Sequence, residues 1–377
     1  MSTTLDLYSN RSQLLSSEDY KLSKNSAYNV PYRNPEQHST KPISLTQVQY
    51  IDRDGVRKPF RADGLNLSTK SFEALDNLFQ HLDKIFRGKG NDYIPQKHSS
   101  TADHSIGVMN LADEFIFSKL PDYLKDIIPR IRAGILMHDF GELTGEISTM
   151  FQRLEGKEKS IHEIPITEDH RNELEAKVVL LLLYKSLEKV YTNDNSFFDG
   201  QFKQLQKSMN AESNQYERFR MVERFLADQK IKLPDLTEND FSIKAPTSIP
   251  KDQENGFIND YKSLLDAFKI SLKPSLTESK SQERSLKNTG VLWSLIKFFD
   301  KTEAEVYVSD VAIVDDNKDF TRFLKKPLEL LKSIKDSVND SYKMFEGSIV
   351  NKIEELLDNV RSTYVTKQNN ALSQKQL

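Results

Sequence analysis

The chain has 377 residues, with 53 Lys and Arg against 56 Asp and Glu, a net charge of −3, and no cysteine. Without cysteine there is no disulfide framework, thiolate metal site, iron–sulfur cluster or cysteine nucleophile, and the near-zero charge sets up no field that would gather nucleic acid or an anionic membrane. The longest apolar run, Val178–Leu183, is far too short to cross a bilayer, and Met1–Asn10 lacks a basic start followed by an apolar stretch, so a cytoplasmic protein is expected.

Low Gly and Pro with abundant Leu, Lys, Glu and Asp favour helix. Residues 1–40 are polar and patternless and read as an N-terminal arm. From Thr46 to Phe60 apolar and polar residues alternate around Asp54-Gly55, which predicts a short β-hairpin. Ser68-Thr69 offers an N-cap for a helix to about Arg87, with Phe72, Leu75, Leu78, Phe79, Leu82, Ile85 and Phe86 on one face. A second helix starts near Thr101 or Asp103 and carries the stripe His104, Val108, Leu111, Phe115. Pro121 and Pro129 open further helical pieces, and Ile131–Phe140 is strongly apolar. Glu168–Tyr191 is the longest helical candidate, its run from Val178 to Tyr184 buried nearly all round. Helical patterns follow over Ser196–Asn210 and Asn214–Gln229, then a proline-bearing loop over residues 230–256. Periodicity returns at Phe257–Ile270, Asn288–Val308 and Phe320–Val360, and the tail after Thr366 is polar.

Three places on this helical frame carry ionisable groups where apolar neighbours are expected. In the stretch from Arg130 to Glu142, an apolar segment ends in His138-Asp139, with Glu142 four residues after the histidine and, on a continued helix, on its face. His104 opens an otherwise apolar stripe; taken alone it reads as a satisfied core histidine. Asp300 falls on the stripe Trp293, Ile296, Asp300, Ala304, Tyr307, so it points inward and needs a partner, an arginine or a metal. Burying such groups is costly without compensation, and a divalent cation compensates an imidazole and a carboxylate at once. No phosphate-binding GxxxxGK[ST] loop, GxSxG elbow or HExxH helix is present.

The order His104, His138-Asp139, Asp300 resembles the H…HD…D pattern of the HD-domain superfamily of metal-dependent phosphohydrolases. The chain is most similar to its 5′-deoxynucleotidase-like group, through Asp103-His104-Ser105, His138 to Glu142, Thr144-Gly145-Glu146, Arg171-Asn-Glu-Leu-Glu-Ala176 and Phe299-Asp300-Lys-Thr-Glu-Ala304. The likeness covers roughly residues 70–310. It departs from the group by the expanded region before Lys287, by one residue fewer between Glu142 and Glu146, and by Glu146 in place of an aspartate. Deoxynucleoside triphosphate hydrolases share the H…HD…D pattern and stay open as relatives.

The resemblance implies an all-α fold, an HD-domain helical bundle over residues 67–310 with a helical insertion at about 191–287. Before it stands an arm with a hairpin (1–66), and after it C-terminal helices and a polar tail (311–377). It implies one divalent ion (Mn, Co, Fe, Ni or Zn, with Mg also allowed) held by His104, His138, Asp139 and Asp300. Glu142, with Asp139, would serve catalysis as proton acceptor or water orienter. Arg87, Lys97, His98 and Arg171 are candidates for phosphate, and Glu146 for a sugar contact. The expected activity is hydrolysis of a phosphoester bond, and the expected partner a small phosphorylated compound such as a nucleotide, with no membrane or nucleic acid and with a homodimer left open. The alternative is a catalytically idle scaffold of the same fold that binds a nucleotide or a protein partner. Should Asp300 stand far from the histidines, Glu303 or Glu305 would take its place.

Overall fold

The structure is a computed structural model and describes residues 42–51, 56–85, 100–115, 117, 128–144, 168–212, 214–236, 243–272, 276, 293 and 296–300. The N-terminal arm, Pro121, the region 320–360 and the polar tail, all read from the sequence, lie outside the described residues. So do Arg87, Lys97, His98, Glu146, Glu303 and Glu305.

The hairpin forms as the alternating pattern demands. β1 (Gln49–Ile51) pairs antiparallel with β2 (Arg57–Pro59), with Tyr50 opposite Lys58. Its Asp54-Gly55 turn lies outside the described residues. This is the only sheet among the described residues; the rest of the regular structure is helical. The flanking residues Leu45, Val48 and Phe60 are fully buried, so the hairpin shares the main core.

Helix α1 (Thr69–Leu82) begins where Ser68 Oγ accepts the Ser71 backbone N–H at 3.0 Å. It buries Phe72, Leu75, Leu78, Phe79 and Leu82, the face that the periodicity picked out. It stops five residues short of the expected Arg87, tightening into i+3 bonds as the Lys84 and Ile85 N–H groups donate to the His81 and Leu82 carbonyls; the next residue, Asp83, is used across the chain. Its carboxylate accepts the Ile43 N–H and the Ser100 hydroxyl, each at 2.8 Å. The remaining helices are α2 (Thr101–Phe115), α3 (Ile128–Met137), α4 (Glu168–Thr192), α5 (Lys203–Ala211), α6 (Gln215–Asp228) and α7 (Glu254–Lys269). Residues 296–300 are also helical.

Among the described helices, α4 is the central one. Every residue from Val178 to Tyr184 is buried, as the unbroken apolar run requires, because α1, α6 and α7 pack around it. Polar groups on α4 and α7 tie the bundle by donating to carbonyls. Ser186 Oγ bonds the Ala74 carbonyl and Tyr261 Oη the Leu180 carbonyl, both at 2.8 Å. Between α3 and α7 the backbones nearly touch, and a Cβ on Gly134 would stand 2.8 Å from the Ala267 carbonyl oxygen.

One turn departs from the α-pattern expected over Ser196–Asn210. Residues Phe198–Phe202 form a π-turn. Its wider period puts Phe197 over Phe202, their rings nearly parallel at 6.1 Å. The described residues of the expected loop over 230–256 carry no helix before α7 opens at Glu254, three residues ahead of the expected Phe257. Leu236 and Ile249 bury under it, and Tyr184 Oη donates to the Lys244 carbonyl at 3.0 Å.

Candidate metal centre

The start of α2 is built as a reciprocal cap. Asp103 N–H donates to Ser100 Oγ at 3.1 Å, while the Ser100 N–H donates to the Asp103 carboxylate at 3.0 Å. Asp103 thus fixes the first turn, and the next residue, His104, is carried inward and fully buried. One turn back on the same helix, Thr101 Oγ donates to Glu142 Oε2 at 2.9 Å, which joins α2 to the segment after α3.

The His138-Asp139 pair does not continue an α-helix, contrary to the sequence expectation. Helix α3 ends at Met137, His138 and Asp139 form a turn, and Phe140–Thr144 is a 3-10 helix. Glu142 therefore follows Asp139 through a tight i+3 bond, its N–H donating to the Asp139 carbonyl at 2.9 Å. The reason lies in the packing of α4. A Cβ on Gly141 would stand 3.1 Å from Glu175 Cβ, so the chain must turn close under that helix. Gln206 on α5 holds the same turn, donating to the Leu143 carbonyl at 2.8 Å.

These elements bring His104, His138, Asp139 and Asp300 together. His104 Nε2 lies 3.5 Å from Asp139 Oδ2 and 3.2 Å from Asp300 Oδ1. His138 Nε2 lies 3.3 Å from Asp139 Oδ2 and 3.9 Å from Asp300 Oδ1. The imidazole rings stand 5.3 Å apart. One ligand atom each from His104, His138 and Asp139 falls within 4.8 Å of the others, an arrangement that could hold a metal ion. Of the stripe read for Asp300, Ile296 and Asp300 are buried and Trp293 is half-buried, while Ala304 and Tyr307 lie outside the described residues; the adjacent Phe298 and Phe299 are also buried.

The proton inventory tests whether a cation fits. His138 Nδ1 is 2.6 Å from the Ile135 carbonyl oxygen, an atom that only accepts, so Nδ1 carries the proton. In the neutral ring Nε2 is then a lone pair, and this buried atom makes no hydrogen bond. It faces carboxylate oxygens, which are also acceptors. Acceptors converging without a proton between them repel, and a divalent cation removes that repulsion. The donor set fits a metal.

Lys297 was not singled out from the sequence, although it sits three residues before Asp300, a spacing that pairs side chains on a helix. Its ammonium donates to Asp300 Oδ2 at 3.1 Å. Burial of the ammonium opposes its charge, but the carboxylates of Asp300, Asp139 and Glu175 outweigh this and raise its pKa. Arg171 lies one turn before Glu175 on α4, 3.8 Å from it, and its buried Nε makes no hydrogen bond. Thr101 carried no signal legible in the sequence, since its role depends on where the chain after α3 returns.

Comparison with known family models, with curated proteins and with solved structures gives no match for this chain. No helix among the described residues is long and apolar enough to cross a membrane.

Proposed function

We propose that the chain is a metal-dependent phosphohydrolase of the HD-domain type, acting on a nucleotide or a related small phosphoester. The observation that carries this reading is the lone pair of His138 Nε2, locked by its own ring and aimed with His104 at the carboxylates of Asp139 and Asp300. His104, His138, Asp139 and Asp300 would hold the ion, and their mixed nitrogen and oxygen donors suit Mn, Fe, Co, Ni or Zn. When bound, such an ion supplies Lewis acidity toward a phosphoryl oxygen and makes water acidic enough to act as a nucleophile near neutral pH.

The chain's own side chains do the rest. Glu142, held at one oxygen by Thr101, accepts the proton of the water that attacks phosphorus. The water oxygen bonds to phosphorus as the bond to the leaving oxygen breaks, and that oxygen takes up the proton Glu142 received, which returns the carboxylate. Arg171, whose Nε stands 3.8 Å from Glu175 Oε1 without a hydrogen bond, would turn its guanidinium toward a phosphate oxygen. Asp139 serves both as ligand and as the anchor of the turn that carries Glu142.

The test is phosphate release from a panel of nucleoside mono- and triphosphates and simple sugar phosphates, before and after chelation and with Mn, Co or Zn restored. Release that needs the ion supports the reading. An ion bound without release from any phosphoester would favour the idle scaffold, and release indifferent to chelation would remove the metal from the chemistry.

A further inference from the structure

The two oxygens of the Asp300 carboxylate are divided between different tasks. Oδ1 faces the imidazoles, 3.2 Å from His104 Nε2 and 3.9 Å from His138 Nε2, while Oδ2 takes the Lys297 ammonium at 3.1 Å. Both residues lie on the same helical segment, flanked by buried Ile296, Phe298 and Phe299, so neither backbone can shift independently. The Asp300 side chain is 4% exposed and that of Lys297 28%. A buried carboxylate with one oxygen tied by a donor cannot rotate freely, and only its other oxygen remains aimed at the histidines.

We propose that Lys297 is a positioning residue that holds Asp300 as a single-oxygen metal ligand. The inference rests on the metal-binding reading of this centre and not on hydrolysis. An outer partner of this kind aligns the ligand before the ion arrives, and losing one lowers metal affinity by roughly 10–100-fold. The lysine's charge works the other way, since it repels a cation nearby. The proposal holds that alignment of the ligand outweighs this repulsion.

The experiment titrates the full chain with Mn²⁺ by calorimetry and records the visible spectrum of the Co²⁺ form, for wild type, Lys297→Met, Lys297→Arg, Asp300→Asn and the double variant Lys297→Met/Asp300→Asn. Lys297→Ala replaces the methionine variant if circular dichroism shows that one unfolded. Lys297→Met should weaken Mn²⁺ by about 10-fold or more and alter the Co²⁺ bands, and Lys297→Arg should restore both. In the Asp300→Asn background the same change should move affinity by no more than about twofold, because the amide is uncharged and has a single oxygen, so Lys297 no longer holds one oxygen while the other faces the ion. Unchanged or tighter Mn²⁺ binding by Lys297→Met overturns the inference, as does an equal loss in both backgrounds. Coupled binding without hydrolysis of any phosphoester leaves this inference standing and removes the phosphohydrolase reading. A wild type that binds no divalent ion removes both.

Discussion

His138 donates from Nδ1 to the carbonyl of Ile135, three residues earlier, at 2.6 Å. The bond closes the end of α3 and fixes the tautomer with the same contact. Helix termination thus sets the chemistry of the ring, because the Ile135 carbonyl, which also accepts the His138 backbone N–H at 3.3 Å, claims the ring proton and leaves Nε2 a bare acceptor.

The buried Asp113–Arg132 pair ties α2 to α3. Arg132 Nε and Nη2 both reach Asp113 Oδ1, at 2.8 and 2.7 Å, and the guanidinium lies over the Tyr50 ring of β1. Asp113→Asn removes the carboxylate charge facing a buried guanidinium and should cost about 3–5 kcal/mol in urea unfolding. A loss below about 1 kcal/mol would mean that the pair contributes no more than a surface one.

Gly134 lies where α3 meets α7, and the obstacle to a side chain there is the Ala267 carbonyl, a backbone atom that cannot swing aside. Gly134→Ala should destabilise the fold by about 1–3 kcal/mol although alanine is the better helix former. Thermal melts of the two proteins measure this, and a raised melting temperature would contradict the packing described.

His81 is stacked on Phe198 at 5.3 Å. Burial, then the neighbouring Lys84 and Lys189, push its pKa down to about 4, with Asp199 opposing them. The unfolded chain takes up this proton near pH 6.5, so the contribution is complete above that pH and is lost as pH falls toward 4. Between pH 7.5 and 5 the wild type should lose about 2 kcal/mol more than His81→Leu in urea melts. Parallel curves for the two would show that His81 does not titrate differently on folding.

Much of the frame is legible in the sequence because its periods are local. The face of α1, the buried run of α4 and the extent of α6 follow from residue spacing alone. Asp300 could be read as inward because its helical stripe is otherwise apolar. The end of α3 at Met137 could not, since it depends on Gly141 passing under Glu175, more than thirty residues away in sequence. The π-turn at Phe198–Phe202 goes with ring contacts, Phe197 stacked on Phe202 and His81 edge-on to Phe202, again a tertiary effect. Lys297 was legible in principle, at i, i+3 from Asp300, but an inward aspartate draws the eye to distant partners first.

The division of labour between His138 and Glu142 is the centre of the account. Glutamine at 142 keeps the shape and can still accept from Thr101, but it cannot take a proton at neutral pH. Alanine at 138 removes a donor atom outright. The most direct measurement pairs metal content per chain with phosphate release for wild type, Glu142→Gln and His138→Ala. The expected result is a loaded Glu142→Gln with release lowered by about 10²–10⁴-fold, and a His138→Ala depleted of both metal and activity. A Glu142→Gln protein with wild-type turnover, or a His138→Ala protein that keeps its metal, would contradict it.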